Sequence, residues 1–500
     1  MMSKRIQYFL LYIAAIIGVL SYQPFDIWPF SLVSIALVLY ALRGVSPKRA
    51  FWMGYLYGVI FYIALLYWIA WATFVFAIPV PFILAFIPAL FFWMFNRLER
   101  INRWLAVIAA PFIWVFFEYI RTLSQLAFPW NPMGNCFAAY PAFIQYAEYS
   151  GVYGISLWVL IINMIFYRIF VNPLPLKRTL ISAMIIIILV IAPYIYGASV
   201  IPDDTVKGDL KVALLQGNIP RDIKWDPAKL NYSFDTYFSM IDTSATEGAE
   251  LIILPETALP CYLRRRRPYI DMIRQKVAEV DRPVLAGAPD YVILGEQQYV
   301  YYNSAQYYMP GRRFPELFYK NKLVPFSERI PFSGKVKVLR EIRLGQADFS
   351  PGDSLALFEV DGKKFGTLIC FEIVFPDLVR RFVNRGADFM VTITNDMWFG
   401  VTSGPYQHYY NGTLRAVENR VGIVRCANTG ISLFYDPYGR TYTISSLNER
   451  RILIDTVATK KEQTFYNRHG DYIARISMAL TFLAVAVIIS GTVMKRRTEV

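Results

Sequence analysis

Eight apolar runs give the chain its most obvious pattern, seven of them before residue 197 and one after residue 470. Roughly 20 apolar residues cross the core of a bilayer, so each run is long enough, or nearly so, for a membrane-spanning helix. The predicted spans are Ile6–Leu20, Trp28–Leu42, Phe51–Phe74, Val75–Phe95, Trp104–Ile120, Val152–Phe170, Leu180–Tyr196 and Ile473–Met494. The second run is short, and no charged residue marks the boundary near Phe74.

The first run could be taken for a signal peptide, because Lys4 and Arg5 precede it. No small-residue cleavage site follows, however, and further spans come at once, so we expect a retained helix.

The long polar segment between the last two spans has a different pattern. Apolar runs of four to eight residues, bounded by Gly, Pro, Asn or Asp, are typical of buried strands. Such runs are LKVALLQ, ELIILPE, RPVLAGAP, KFGTLICF and ADFMVTITN, and they alternate with helix-compatible stretches. The sequence therefore predicts a polytopic helical membrane domain with an α/β domain inserted. We expect residues 1–197 to carry seven spans and an arm near 121–150, residues 205–470 to form the α/β domain, and residues 473–494 to form the last span.

Basic residues cluster at the ends of the apolar runs. The formal charge of +14 suits topology signals and anionic lipid better than nucleic acid, which we do not expect as a partner. Eight alternating spans place every cluster in the cytoplasm, with both termini, and residues 205–470 outside it. The clusters are Lys4 and Arg5, Arg43 with Lys48 and Arg49, Arg97–Arg103, Arg168 with Lys177 and Arg178, and Lys495–Arg497.

The cysteine and histidine content narrows the chemistry. Four cysteines show no paired short spacing, which argues against both a zinc site and a disulfide framework. The chain has only two histidines, His408 and His469, so an imidazole metal site or a Ser-His-Asp triad is not expected. We predict no metal and no cofactor.

Three polar residues stand at the ends of apolar segments. Cys370 ends the strand-like run FGTLIC, where a cysteine is usually a small buried hydrophobe. Glu372 would share a strand face with it, since residues i and i+2 do so. Glu256 follows LIILP and is either a functional carboxylate, a helix N-cap neighbour or a surface acid. Lys320 lies in the apolar FYKNKLVPF, where a lysine either is desolvated or extends its amine to water.

These residues, in this order, carry a resemblance. The motifs LPET, YKNKLVPFSE and LICFE resemble the Glu-Lys-Cys triad of the nitrilase superfamily. Together with the spans, they resemble its membrane-bound branch, the apolipoprotein N-acyltransferases. Further similar motifs cover nearly the whole chain, namely WVFFEYIRT, FPWNPMGN, QGNIPRDIKWDP, NDMWFG, GPYQHYYNGTLRAVENR and RCANTGIS. The resemblance implies an α-β-β-α sandwich for the outer domain.

The resemblance also implies a mechanism. Cys370 would attack a phospholipid ester and form a thioester. Glu256 would be the general base, and Lys320 would stabilise the oxyanion together with the backbone N–H of Phe371. The acyl chain would then pass to the α-amino group of a diacylglyceryl-cysteine at an apolipoprotein N-terminus, in ping-pong order. The implied enzyme is a monomer in the bacterial inner membrane, among membrane lipids, with its catalytic domain in the periplasm.

Further matching positions have supporting roles in the family. Glu328 and Glu372 match acidic residues of the site and either act there or hold Lys320 in a structural salt bridge.

Trp225 and Trp398 match loop aromatics at the lipid entrance, although a tryptophan near a membrane is often only an interfacial anchor. Asn218 and Asn395 are substrate-binding candidates that could equally satisfy backbone groups at strand ends.

Three positions depart from the family pattern. Phe371 stands where tyrosine is common, and Ser327 replaces a usual glycine before Glu328. Lys322 stands where histidine is frequent. This leaves open which of the two lysines belongs to the triad, although the LVPF alignment favours Lys320.

Two charged groups lie outside these motifs. Arg264–Arg267 forms either a solvated charged face or a contact for phosphate headgroups. Glu118 and Arg121 close the fifth span, where ionisable groups are costly. We expect them to pair with one another or to steady the arm that follows.

Two rival functions remain. One is a membrane-tethered, nitrilase-like amidase that releases acid to water. A closed polar pocket would favour it, whereas an apolar entrance open to the bilayer would favour transfer to a lipidated amine. The other is a non-catalytic transporter or scaffold, against which the intact triad argues.

Overall fold

The chain folds into two compact units. The computed structural model describes residues 2–72, 78–172, 175–295, 298–334, 348–460 and 462–498. One unit contains Met1–Ile201 together with His469–Val500, and the other contains Pro202–Arg468.

The first unit is helical throughout its described length. Its helices are α1 (Lys4–Leu20), α2 (Ser31–Ala41), α3 (Pro47–Leu66), α4 (Ile69–Ala72), α5 (Pro79–Leu84), α6 (Phe86–Ile101), α7 (Arg103–Ile120), α8 (Pro141–Ile144), α9 (Ala147–Val171) and α10 (Leu176–Val200). The C-terminal helix of the chain, which also belongs to this unit, is Tyr472–Thr498.

Helices occupy all eight predicted spans. Within the described ranges, six are long and apolar enough to cross a membrane, namely Pro47–Leu66, Pro79–Ile101, Arg103–Ile120, Ala147–Val171, Leu176–Val200 and Tyr472–Gly491. The other two are shorter, since Trp28–Ala41 is the short apolar segment and α1 has 17 residues. The predicted boundary near Phe74 lies outside the described residues.

Side-chain caps separate consecutive helices. Asn102 has an extended backbone between α6 and α7, and its side chain accepts hydrogen bonds from the N–H groups of Trp104 and Leu105. Ser46 caps α3 in the same way by accepting from the Arg49 N–H, with Pro47 in the first turn. Such caps satisfy amide groups that have no partner within the helix. They explain how a long apolar sequence is divided into separate helices.

Glu118 stabilises the segment that follows α7. Its Oε1 atom accepts hydrogen bonds from Trp114 Nε1 at 2.9 Å and from the Met133 N–H at 2.6 Å. Met133 opens a 3₁₀ turn, Met133–Phe137, in the predicted arm. Glu118 was expected to pair with Arg121 or to steady the arm, and these hydrogen bonds show that it steadies the arm.

In its described residues, the second unit has twelve strands in two six-stranded sheets. The strands are β1 (Leu210–Gln216), β2 (Leu251–Ile253), β3 (Val284–Leu294), β4 (Gln298–Tyr308), β5 (Glu316–Tyr319), β6 (Leu357–Val360), β7 (Lys363–Ile369), β8 (Phe389–Thr394), β9 (Gly422–Ala427), β10 (Leu433–Tyr435), β11 (Thr441–Tyr442) and β12 (Arg451–Val457). Their orders are β12-β1-β2-β3-β4-β5 and β11-β10-β9-β8-β7-β6. The five runs predicted as strands are all strands.

The described helices of this unit lie between β1 and β3, between β7 and β9, and after β12. They are α11 (Arg221–Lys224), α12 (Leu230–Thr246), α13 (Arg267–Val280), α14 (Pro376–Asn384), α15 (Gly404–Asn419) and α16 (Phe465–His469), and the C-terminal helix Tyr472–Thr498 is α17.

The two sheets face one another and helices cover them. Between the sheets, Cys426 Sγ of β9 lies 3.2 Å from the Ile253 carbonyl oxygen of β2. On the first sheet, α12 and α13 pack into one hydrophobic core with β1, β2 and β3. On the second, a Cβ at Gly366 of β7 would lie 2.6 Å from the Phe382 ring of α14, so the helix packs closely on the strand. The unit is thus the α-β-β-α sandwich that the resemblance implied.

The central strands of each sheet are parallel, which brings their carboxyl ends to one edge. Strands β1, β2 and β3 run parallel, as do β7, β8 and β9. The carboxyl ends of parallel strands meet at one edge of a sheet, where side chains that follow the strands come together.

Candidate active site

Cys370 occupies a sharp turn directly after β7. The strand ends at Ile369, and a 3₁₀ turn covers Cys370–Val374. Cys370 has a φ of +53°, in the left-handed region that is costly for residues other than glycine. The expectation that Cys370 and Glu372 share a strand face is therefore wrong, because the chain leaves the strand at the thiol.

The Cys370 thiol is buried in a charged environment. Burial raises its pKa, the charges of Glu256 and Asp396 raise it further, and Lys320 lowers it. The raised pKa means that the thiol keeps its proton at neutral pH. A neighbouring base is needed to make it a nucleophile.

Glu256 has the position and the environment of such a base. It follows β2 and is buried, with Oε1 accepting from Asn303 Nδ2 at 2.7 Å and Oε2 from the Asn395 N–H at 3.0 Å. Burial raises the pKa of this carboxyl group, and the charge of Lys320 opposes the shift. A carboxylate with a raised pKa can exchange a proton near neutral pH.

Lys320 lies between two carboxylates at the end of β5. Its Nζ is 2.8 Å from Glu328 Oε1 and 3.8 Å from Glu256 Oε1, and the side chain is 1% exposed. Burial acts to lower its pKa, but the attraction of Glu328 and Glu256 outweighs burial and raises it. Lys320 is therefore a permanent buried cation.

The structure distinguishes Lys320 from its neighbour Lys322. Lys322 directs its amine over the ring of Phe375, with Nζ 5.2 Å from the centroid. The ammonium group beside Glu256 thus belongs to Lys320.

Glu328 and Glu372 hold the loop that carries Lys320. Besides its ion pair with Lys320, Glu328 accepts from the Val324 N–H at 2.9 Å. Glu372 accepts from the backbone N–H groups of Asn321 and Lys322 through Oε1 and from that of Ile369 through Oε2. Of the two glutamates, Glu328 forms the expected salt bridge with Lys320. Glu372 instead links the turn at Cys370 to the backbone that follows Lys320. Burial raises the pKa of Glu372 to about 7, and its backbone donors oppose this shift.

Phe371 and the two candidate tryptophans differ in exposure and in ring contacts. Phe371 is buried, and its ring packs edge-on against Phe375 with centroids 5.3 Å apart. Trp225 is 46% exposed directly after α11. Trp398 lies in the 3₁₀ turn Asp396–Phe399, where the guanidinium of Arg221 covers its ring at 4.6 Å.

The two candidate asparagines have backbone contacts. Asn218 has a φ of +48°, and its Nδ2 donates to the Asn448 carbonyl oxygen at 2.7 Å. Asn395 holds Glu256 through its own N–H, and its Oδ1 accepts from Asn428 Nδ2 at 3.1 Å. Asn395 therefore contributes to the centre through its main chain, whereas Asn218 supports a loop.

Sequence reasoning missed Asn303, which contacts two members of the site. Its Nδ2 donates to Glu256 Oε1 and also, at 3.1 Å, to Glu328 Oε1. It lies on β4, within an ordinary-looking strand sequence, so no motif draws attention to it.

A second group missed from the sequence lies behind the cysteine. His408 of α15 contacts the Cys370 carbonyl oxygen through Nε2 at 3.1 Å. Its Nδ1 lies 3.1 Å from Arg425 Nη2 and 3.0 Å from Asp396 Oδ1, and Arg425 and Asp396 form an ion pair at 2.6 Å. Burial and the charge of Arg425 lower the pKa of His408. The motif GPYQHYYN was the available signal, but histidine was weighed only as a metal ligand or triad base.

Lys224 is a third missed residue. It ends α11, is 2% exposed, and its Nζ donates to the Glu256 carbonyl oxygen at 3.1 Å. Burial lowers its pKa to about 7, while the charge of Glu256 opposes the shift. The centre therefore contains a second buried amine beside the proposed base.

Comparisons with known proteins point to one family. Residues 14–165 match the family model described as apolipoprotein N-acyltransferase N-terminal domain, and residues 211–465 match the carbon-nitrogen hydrolase model.

Similar curated proteins cover almost the whole chain. The apolipoprotein N-acyltransferase of Geobacter metallireducens is 31% identical over 490 residues, covering 94% of this chain and 93% of that protein. That of Chlorobaculum tepidum is 30% identical over 502 residues, with 93% of each covered. Among solved structures, Saccharomyces cerevisiae Nit3, a member of branch 10 of the nitrilase superfamily, is 18% identical. It covers 50% of this chain and 90% of its own, with a TM-score of 0.39.

Proposed function

The chain belongs to the apolipoprotein N-acyltransferase family, and on that premise we propose that Cys370, Glu256 and Lys320 carry out its reaction. The enzyme is an acyltransferase of the bacterial inner membrane. It transfers an acyl chain from a phospholipid to the α-amino group of the N-terminal diacylglyceryl-cysteine of apolipoproteins and so completes lipoprotein maturation.

The first half-reaction acylates the enzyme. Glu256 removes the Sγ proton of Cys370 as the sulfur attacks the carbonyl carbon of a phospholipid ester. The resulting oxyanion is stabilised by the Lys320 ammonium group and by the backbone N–H of Phe371. The ester C–O bond then breaks, Glu256 returns the proton to the departing oxygen, and lysophospholipid leaves a thioester on Cys370.

The second half-reaction transfers the acyl chain. The neutral α-amino group of the apolipoprotein attacks the thioester carbonyl, and Glu256 accepts a proton from the attacking nitrogen. The C–S bond breaks as the amide forms, and the proton held by Glu256 returns to the sulfur. The order is ping-pong, since lysophospholipid leaves before the lipoprotein amine enters.

One observation supports these roles above the others. Lys320 Nζ lies within 3.8 Å of Glu256 and both charges act on the buried Cys370 thiol, although the three residues follow three different strands. The site joins a protonated nucleophile, a carboxylate with a raised pKa and a fixed cation. These three groups can carry out acyl transfer through a covalent intermediate.

The basic clusters at the ends of the apolar runs support a periplasmic position for residues 205–470, with residues 1–197 and 473–494 in the membrane and both termini in the cytoplasm. We also propose that the loops of Trp225 and Trp398 border the lipid entrance and open for substrate. The enzyme works as a monomer without a cofactor.

Mass spectrometry tests the proposed nucleophile. The full chain is incubated in nanodiscs with phospholipid and then digested. We expect the mass of one acyl chain on the Cys370 peptide, removed by a diacylated lipopeptide but stable in buffer. Cys370→Ala is the control and should carry no acyl chain. An acyl adduct on that variant would disprove the nucleophile, and loss of the adduct to water alone would indicate the amidase.

A further inference from the structure

A long β-hairpin projects from the catalytic unit. Strands β3 and β4 pair in antiparallel register from Val284↔Tyr308 to Leu294↔Gln298. The half that contains Val284 and Tyr308 is buried in the sandwich, whereas residues beyond the Asp290↔Tyr302 pair come into solvent. The outer half thus has no core of its own.

The hairpin leaves the sandwich at the catalytic centre. Asn303 of β4 contacts the carboxylates of Glu256 and Glu328. Gln298, at the outer end of the same strand, precedes Asn303 by five residues, which span roughly 17 Å in a strand. The outer end of β4 therefore lies within about one phospholipid length of the proposed base.

The outer half presents an apolar surface rather than a polar one. We define the hairpin patch by its residues Tyr291, Ile293, Tyr299 and Tyr301. Ile293 is 48% exposed and Tyr299 is 50% exposed. Because Tyr291 pairs with Tyr301 and Ile293 with Tyr299, these four side chains share one face. The three tyrosine rings contact one another with centroids 5.4 to 6.4 Å apart.

Arginines lie at the base of the hairpin. Arg265 places its guanidinium over the Tyr291 ring at 5.1 Å, and Arg264 forms an ion pair with Asp290 at 2.8 Å. Two members of the run Arg264–Arg267 are thus fixed at the base of the hairpin, and Arg266 and Arg267 are exposed beside them. The run is a structured cationic group rather than only a solvated face.

An exposed isoleucine, three tyrosines and a neighbouring group of arginines together have the composition of an interfacial protein surface. Tyrosine concentrates at the headgroup level of membranes, and arginines bind lipid phosphates. The catalytic unit is also tethered at both ends, since Val200 ends one spanning helix directly before it and Tyr472 begins another just after it. These features favour lipid over a soluble protein as the partner of the patch.

We propose that the hairpin patch docks on the anionic headgroup surface of the bilayer, with Ile293 and Tyr299 at the level where headgroups meet acyl chains. Docking holds the edge of the sandwich that contains Glu256 close to the lipid from which the acyl donor comes. The proposal rests on the membrane location of the chain and not on the identity of the nucleophile.

Fluorescence quenching tests the contact. The described native cysteines are all buried, so a thiol introduced at the patch can be labelled selectively. Ile293→Cys is made in the Cys370→Ala background, labelled with a nitrobenzoxadiazole fluorophore and reconstituted in nanodiscs of phosphatidylethanolamine and phosphatidylglycerol. We expect lipid with brominated acyl chains to quench this label at least twofold more strongly than one at Asp361→Cys.

Asp361 is a matched control because it is exposed, polar and remote from the outer end of the hairpin. It follows β6, which the opposite end of β4 contacts through the Tyr307 hydroxyl and the Glu359 carbonyl oxygen. Equal quenching at positions 293 and 361 would overturn the proposal, whether water or a protein covered the patch. The result does not depend on catalysis, because the background variant has no proposed nucleophile.

A functional comparison provides the second test. Ile293→Asp should slow acylation from bilayer phospholipid several-fold and leave acylation from a detergent-dispersed short-chain phospholipid unchanged, whereas Ile293→Val should retain both rates. An equal loss from both donors would show that the substitution damages the catalytic centre and would contradict docking.

Discussion

His408 Nε2 donates a hydrogen bond to the carbonyl oxygen of Cys370 at 3.1 Å. A carbonyl oxygen can only accept, so the contact places a proton on Nε2. Cys370 adopts a left-handed backbone that is otherwise unfavourable, and the bond fixes its carbonyl group in that conformation. His408 is therefore a positioning residue, which acts on the reaction through the backbone of the nucleophile.

Replacing His408 tests this role. His408→Phe keeps a ring but removes the donor, and a lost hydrogen bond of about 1 kcal/mol corresponds to a roughly five- to tenfold slower acylation. His408→Gln retains an N–H group and should recover part of the rate. Single-turnover acylation measures the effect. Equal rates for the two variants, at equal melting temperatures, would show that the hydrogen bond does not position the cysteine.

Two neighbouring lysines provide a matched pair. Lys320→Met removes the buried cation beside Glu256 and leaves the Glu328 carboxylate without its ion pair. Loss of an oxyanion donor costs roughly 100- to 1,000-fold in rate. Lys322→Met removes only an amine over the Phe375 ring and should change the rate less than threefold. Thioester formation followed by mass spectrometry distinguishes them, and the reverse order would assign the oxyanion to Lys322.

The pH dependence of acylation follows from Lys224. Its charge lowers the pKa of Glu256, whose pKa is otherwise raised by burial. Glu256 must be ionised to act as a base, so acylation falls as the pH drops through its pKa. Lys224→Met removes the opposing charge and should move this acid limb to higher pH, whereas Lys224→Arg should leave it nearly in place. Acylation rates between pH 5 and 9 check the direction, and a shift to lower pH would be the contrary result.

The sequence predicted five of the described strands and the three proposed site residues because local signals mark both. Glu256 and Cys370 lie at the ends of strand-like runs, Lys320 lies in an aromatic and apolar segment, and each belongs to a recognisable motif. The geometry around them depends on tertiary contacts. The strand ends at Ile369, before Cys370, and no glycine in the sequence marks the left-handed turn that follows.

Long-range contacts explain the residues that were missed. Asn303 lies 47 residues from Glu256, and His408 lies 38 residues from Cys370. Each contact depends on the pairing of strands and on the packing of α15, which no single-sequence pattern specifies. Glu372 illustrates the same limit, since its partners are backbone N–H groups that only the folded loop brings to it.

Asn303 provides the last test, because one amide serves two carboxylates. Its Nδ2 donates to Glu256 Oε1 and Glu328 Oε1, and both oxygens also face Lys320 Nζ. Asn303→Leu removes the donor but retains the side-chain volume. A hydrogen bond to a charged group contributes about 1.5 to 3 kcal/mol, so acylation should slow by roughly 10- to 100-fold. The pKa of Glu256 should also rise, because the bond favours its charged form. Ser304→Ala is the control, since it removes a neighbouring buried hydroxyl, which donates to the Ala288 carbonyl oxygen and accepts from the Gln306 side chain. A rate for Asn303→Leu equal to that of Ser304→Ala would show that Lys320 alone is sufficient to hold the two carboxylates.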